Sequence, residues 1–308
     1  MTSAAESLSA SRAAVRRRDR WWRTVSPYVF ISPFYITFLI FGLLPIGFSL
    51  VVSLTNWRGT ARPQFIGLQN YATLLQDPGL PKALLNTVYV WIGSVPTMIF
   101  LALIFAVILN SRLVRGRNAF RTVYFLPQVT SLVITGLVFG QLFSTSFGLV
   151  NTVLVAVGGN AINWLADPRF MKAVLVMALV WRWVGNDMVI MLAGLNSIPG
   201  DIYEAAIVDG ASGVQSFFFI TVPLMRPVIL FDFVITTIGI FGLFAEPFVL
   251  FGPGGGVKQA GLVTGTLIYQ YSFQLFKFGY GAAVAWVVGV IIIFFSMLQL
   301  RLGNREAT

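Results

Sequence analysis

Between Arg23 and Arg58 the chain carries no charged residue, and the same is true between Lys82 and Arg112 and between Lys277 and Arg301. Uncharged apolar runs of this length constrain the fold more than any other feature of the sequence. About 20 apolar residues in a helix cross the hydrocarbon of a bilayer. A segment in lipid must also satisfy every backbone N–H and C=O internally, which a helix does alone. The pattern predicts six spans: 28–54, 84–109, a third from just after Arg121 to 143, 171–195, 224–251, and a sixth between Lys277 and Arg301. Arg182 and Asp187 interrupt the fourth, and Asp232 and Glu246 fall inside the fifth. Composition agrees. Of 308 residues 57% are hydrophobic and only 10% charged, whereas a soluble domain averages about 25% charged. The fold class expected is therefore an all-α polytopic membrane protein, with a basic arm over residues 1–26 and one transmembrane domain over 27–308.

The net charge of +10 would suggest nucleic acid if it formed one patch, but its distribution follows topology. Thirteen of the 21 basic residues lie in the N-terminal arm, the 2–3 and 4–5 connections and the C-terminal tail, among them Arg12, Arg115, Arg226 and Arg301. Seven lie on the opposite side, from Arg58 to Lys277, and Arg182 stands within a span. Positive charge collects on the cytoplasmic side, so both termini are expected in the cytoplasm and no nucleic acid is expected as a partner. The arm has no apolar core before Trp21 and does not read as a cleavable signal. Trp21 and Trp22 suit the headgroup level.

With no Cys and no His, thiolate chemistry and the commonest general base and metal ligand are absent. Hydrolytic triads and zinc or di-iron sites built on those residues are excluded. No nucleotide loop is present either. The stretch Gly252 to Lys258 has Val257 where a phosphate-binding loop needs its second glycine, and Gln259 where it needs Ser or Thr. Prolines 33, 45, 96, 127 and 247 fall inside the expected spans, each removing a helix hydrogen bond and favouring a kink.

The 4–5 connection, residues 196–223, is the most informative part of the chain. Asp201 followed by Glu204 is a capping-box spacing and predicts a helix to about Val208. Asp209-Gly210 signals a turn. Ser212 followed by Gln215 is a second capping box, predicting a helix through Phe217 to Ile220 that stops near Pro223. A short helix–turn–helix on a cytoplasmic face follows, with Ala205, Ala206 and Gly210 small enough for close approach by a partner.

These residues resemble a known family. Glu204-Ala-Ala, Asp209-Gly-Ala211, Gln215, Phe217, Pro223 and Pro227, preceded by Ala193-Gly-Leu195 and Ile198-Pro199, look like the EAA loop of ABC-importer permeases. Other stretches are similar to its carbohydrate, MalF-like branch: Phe65-Ile-Gly-Leu-Gln-Asn-Tyr71, Asn86-Thr87, Phe120-Arg-Thr, Leu126-Pro127, Gly148-Leu-Val-Asn151 and Trp164-Leu-Ala-Asp167. The glycine run Phe251-Gly-Pro-Gly-Gly-Gly256 departs from the branch's Thr-Gly-Gly-Gly-Pro, since Pro253 precedes the glycines. The resemblance covers residues 28 to 302. It implies a type I importer fold with six helices and a permease subunit of an ATP-driven importer in a bacterial or archaeal inner membrane. It implies a sugar or sugar-like solute, and as partners a second homologous permease, two cytosolic ATPases and an extracytoplasmic solute-binding protein. No cofactor is expected on this chain. ATP and Mg²⁺ would belong to the ATPases, with Glu204, Ala205, Ala206, Asp209, Gly210 and Gln215 as the coupling residues.

Ionisable and polar groups inside spans are costly and point to function. Arg182 and Asn186, four apart on one helix face, together with Trp181, Gln128 and Glu246, are the expected substrate-path residues, with Trp183 and Ser131 beside them. The competing reading is that they fasten helices to one another. Asp232 is expected to pair with a neighbour such as Arg226. Two other functions compete: an ion-coupled transporter acting alone, for which no internal repeat is seen, and a lipid-modifying membrane enzyme, for which no clustered carboxylates are seen.

Overall fold

A computed structural model describes residues 21–22, 24–60, 62–111 and 114–305. Most of the expected basic arm, with Arg12 to Arg20, Arg23 and Arg112, lies outside the described residues. The described residues are helical apart from connections, and one isolated antiparallel bridge, Thr55 to Phe65, joins the arms of the first connection.

Two units are distinguished, residues 1–52 and 53–308. Through the first runs α1 (Thr24–Ser53), apolar around its circumference, as expected of a helix that meets lipid. Its ladder widens into a π turn at Leu39–Leu43, where the Leu44 N–H reaches back to the Leu39 carbonyl. Pro45 follows at once. A proline ring in a regular α-helix collides with the carbonyl four residues earlier, and the wider turn relieves that collision.

The second unit starts with α2 (Gln69–Leu75) and α3 (Gly79–Asn110). A broken helix follows: α4 (Arg117–Val129) and α5 (Leu132–Leu142) meet at 96°. Then come α6 (Leu149–Ala156), α7 (Pro168–Asn196) and α8 (Gly200–Val208). The long helix α9 (Gly213–Phe241), α10 (Ala245–Phe251), α11 (Thr264–Tyr269) and α12 (Phe278–Arg305) complete the unit. Among the described residues five helices, α1, α3, α7, α9 and α12, are long and apolar enough to cross a bilayer, and the bent pair α4–α5, taken as one span, makes a sixth.

The core lies between α3, α7 and α9. Val95, Met98, Ile99, Ala102 and Ala106 form one stripe of α3 at helical spacing, and Leu175, Leu179, Met188, Met191 and Leu195 form the facing stripe of α7. Gly194 of α7 lies against Met225 and Val228 of α9.

Two expected spans change form. The third is a broken helix rather than one rod, because Thr130 and Ser131 both take extended ψ angles near 140°. The fifth begins at Gly213 and ends at Phe241, well before 251. The Thr264 hydroxyl donates to the freed Phe241 carbonyl at 2.5 Å, and Glu246 consequently sits in the first turn of the separate helix α10.

The sequence motifs largely tie connections together. Asn70 donates to the carbonyls of Ser53 and Thr55, both at 2.8 Å. Asn86 donates to Gln259 and Leu262 carbonyls, holding the glycine-rich connection. Asn151 accepts from the Ile162 N–H and the Trp164 indole, closing the connection between α6 and α7.

Candidate functional site

Polar side chains gather where the third span breaks. A helix end leaves its last carbonyls without intrahelical donors, and inside a bilayer no water replaces them. Arg182 of α7 supplies the donors. Its guanidinium donates to the Gln128 carbonyl at 3.3 Å and the Thr130 carbonyl at 3.0 Å, and to the Thr135 hydroxyl at 3.2 Å. A cation at a helix C-terminus also complements the helix dipole. Its charge is balanced by Glu246, whose Oε1 lies 3.5 Å from Arg182 Nε and accepts the Trp183 indole N–H at 3.2 Å. Both charged side chains are buried. Gly185 makes this approach of α4 to α7 possible, since a Cβ there would collide with the Tyr124 carbonyl.

Beside this fastening lies a cavity of about 170 Å³, lined by Met98, Trp183, Asn186, Asp187, Thr236 and Gly239 among others. Gln128 donates to Asn186 at 3.3 Å, and Asn186 donates to Asp187 at 3.4 Å. The remaining Asp187 oxygen is buried without a hydrogen-bond partner among the described residues.

The expected path residues therefore divide. Asn186 faces the cavity and Gln128 touches it through Asn186, while Arg182 and Glu246 are buried in the fastening. Trp181 is 40% exposed and stands edge-on to Phe139, away from the cavity. Ser131 is exposed at the break. Asp187, Thr236 and Gly239 were not among the candidates; Asp187 alone carried a signal, as a charge in a span. Asp232 does not meet Arg226. It is fully buried, and neither of its oxygens has a hydrogen-bond partner among the described residues.

The 196–223 connection is built as two helices around a turn. The first, α8, starts after Pro199 with no side-chain cap, so Asp201 lies in its first turn instead of capping it. It ends in a Schellman arrangement: the Gly210 N–H donates to the Ile207 carbonyl and the Ala211 N–H to the Ala206 carbonyl, with Gly210 at φ +80°. The Ser212–Gln215 capping box is present in full. Pro223 does not stop the second helix, because another π turn, Phe217–Thr221, stands just before it and carries the chain on into α9. Glu204, Ala205, Asp209, Gly210 and Gln215 are exposed. Ala206 is 7% exposed and packs within this chain, whereas Ala205 is exposed. A rim of apolar side chains surrounds the turn, with Ile207 70%, Val208 85% and Phe219 78% exposed.

A second polar group, formed by residues about 200 positions apart, gave no signal in the sequence. Asp77 Oδ2 accepts from Tyr271 at 2.5 Å and Tyr280 at 2.6 Å, and Oδ1 accepts the Gly79 N–H at 2.8 Å. Burial pushes the Asp77 carboxyl up, but these bonds and the nearby Lys277 charge outweigh it and hold it below the usual carboxylate value.

A broken third span and an exposed helix–turn–helix between the fourth and fifth spans have the form of a membrane transport component. The chain belongs to the binding-protein-dependent transport system inner membrane components, whose family profile matches residues 98–307. It is 38% identical over 294 residues to a lactose transport system permease protein of Rhizobium radiobacter, covering 94% of this chain and 97% of that one. To an arabinooligosaccharides transport system permease protein of Halalkalibacterium halodurans it is 37% identical, covering 90% and 87%. Among solved structures it is similar to a chain of a bacterial alginate ABC transporter crystallised with an alginate pentasaccharide-bound periplasmic protein. The TM-score is 0.77 and the identity 26%, covering 93% of this chain and 98% of that one. The resemblance read from the EAA-like loop thus holds, and the chain is a multi-pass permease of the ABC-transporter type.

Proposed function

We propose that this chain is one permease subunit of an importer that moves a sugar or sugar-like solute delivered by an extracytoplasmic binding protein. Energy comes from two cytosolic ATPases, which hold ATP and Mg²⁺. A second, homologous permease completes the pathway in a bacterial or archaeal inner membrane, with both termini in the cytoplasm. The observation that carries the reading is the solvent-facing turn at 207–219. It exposes Ile207, Val208, Val214 and Phe219 on a helix–turn–helix, and exposed apolar side chains among polar ones mark protein contacts. Glu204, Ala205, Asp209, Gly210 and Gln215 lie in that segment as the coupling residues, with Ala206 supporting it from within.

The sugar class is supported by the relatives named for lactose and arabinooligosaccharides. Asn186 and Trp183 at the 170 Å³ cavity supply a hydroxyl-binding amide and an aromatic face, the two surfaces a sugar ring uses. Gentle purification tests the assembly. Recovery of the chain in stoichiometric complex with a cytosolic ATPase and a second permease is expected. A homogeneous single chain that catalyses solute flux by itself would replace the reading with a secondary transporter.

A further inference from the structure

We propose that the polar cup formed by the connection after α1 and the segment preceding α12 is a docking socket for an acidic side chain of the extracytoplasmic binding protein. The inference rests on the importer reading above, which places this end of the bundle outside. The cup is an open cavity of about 420 Å³, and Asn56, Arg58, Asp77, Tyr271, Lys277 and Tyr280 line it.

Its charges are arranged unevenly. Asp77 is committed inward, because both its oxygens already accept hydrogen bonds from Tyr271, Tyr280 and the Gly79 N–H. Arg58 and Lys277 are exposed, and neither side-chain cation has a hydrogen-bond or ion-pair partner among the described residues. Two unpartnered cations beside one satisfied carboxylate leave the cup positive, which favours an anionic visitor.

The frame is also held in place before anything binds. The Gly279 N–H donates to the Trp57 carbonyl at 3.1 Å, and the Lys277 N–H to the Tyr271 carbonyl at 2.9 Å. Asn70 clamps the first connection through two carbonyls. A preformed socket lowers the ordering cost of association. Apart from Trp57 and Tyr280, the latter in the first turn of α12, its walls are polar side chains of α2 and the connections, so a protein seated over this end fits it better than a lipid.

The test uses the assembled transporter in nanodiscs and a binding protein that saturably stimulates its ATPase. The readout is the binding-protein concentration giving half-maximal stimulation, at low and high salt. The double variant Arg58→Glu with Lys277→Glu is expected to raise that concentration about tenfold and to flatten its salt dependence. Arg58→Lys with Lys277→Arg should behave as wild type, and the ATPase rate without binding protein should be unchanged in both. Lys277→Ala, a neutral change at an exposed position, is expected to give a smaller shift in the same direction and serves if the double variant does not assemble. Superimposable curves for wild type and the charge variants would overturn the proposal. So would direct binding of an oligosaccharide to the wild-type complex, without binding protein, that Lys277→Glu abolishes, since the cup would then be a sugar subsite. A wild-type complex that no binding protein stimulates would instead refute the importer reading beneath it.

Discussion

Arg182 illustrates how a charge inside a membrane span can serve structure. It donates to two carbonyls freed by the break at Thr130–Ser131 and is balanced by Glu246. Removing one partner of a buried ion pair leaves the other uncompensated, at a cost of about 3–5 kcal/mol. Arg182→Leu should therefore lower the thermal stability of the purified complex markedly, and unchanged melting would contradict the capping role. Substrate handling is expected one turn further along α7. Asn186→Ala should change the apparent transport affinity, while Trp181→Ala, whose ring stands against Phe139, should leave it near wild type. Uptake titrated with the delivered solute checks both, and the reverse ranking would remove the cavity from the path.

At the scale of elements, two of the three π turns among the described residues stand just before proline, Leu39–Leu43 before Pro45 and Phe217–Thr221 before Pro223, while the third, Gln270–Gln274, does not. Each of the first two places one extra residue in the turn where the ring would otherwise meet a carbonyl. Pro223→Ala removes the reason for the second. Reversion to a regular α-helix would shift the register by one residue and turn residues 213–221 by about 100° relative to the span. The expected result is normal amounts of folded chain with less ATPase co-purified; full co-purification would show that the π turn has no part in aiming the loop. The spans themselves were legible because the apolar runs are long and nearly free of charge, as a helix crossing hydrocarbon requires. Their breaks were not. Pro127 signalled a kink in the third span but not a full break at Thr130 and Ser131, and Gly242 and Pro247 flank the gap between α9 and α10 without a charge or polar run long enough to end the span by composition. The loop's Gly210 turn and Ser212–Gln215 box were readable because local hydrogen bonding dictates those residue types. Asp201 was misread as a cap because Pro199 ends the preceding backbone one residue earlier and starts the helix at Gly200.

Across the whole molecule, distant pairings were invisible to sequence periodicity. Asp77 meets Tyr271 and Tyr280, and Arg182 meets Glu246, only after the bundle has formed. What the sequence did carry at this scale is the positive-charge distribution and the EAA-like segment, and the family match over residues 98–307 agrees with that segment. The central claim is that residues 196–223 transmit the ATPase's work to the spans. Gly210 tests it most directly. Its φ of +80° closes the Schellman turn, and a Cβ there meets no other atom within 4 Å, so substitution strains the turn's backbone without crowding its neighbours. The measurement is solute uptake by proteoliposomes holding the assembled transporter with Gly210→Val, alongside the amount of ATPase bound. Loss of uptake with weakened ATPase association is predicted; wild-type uptake with a fully assembled complex would contradict the account.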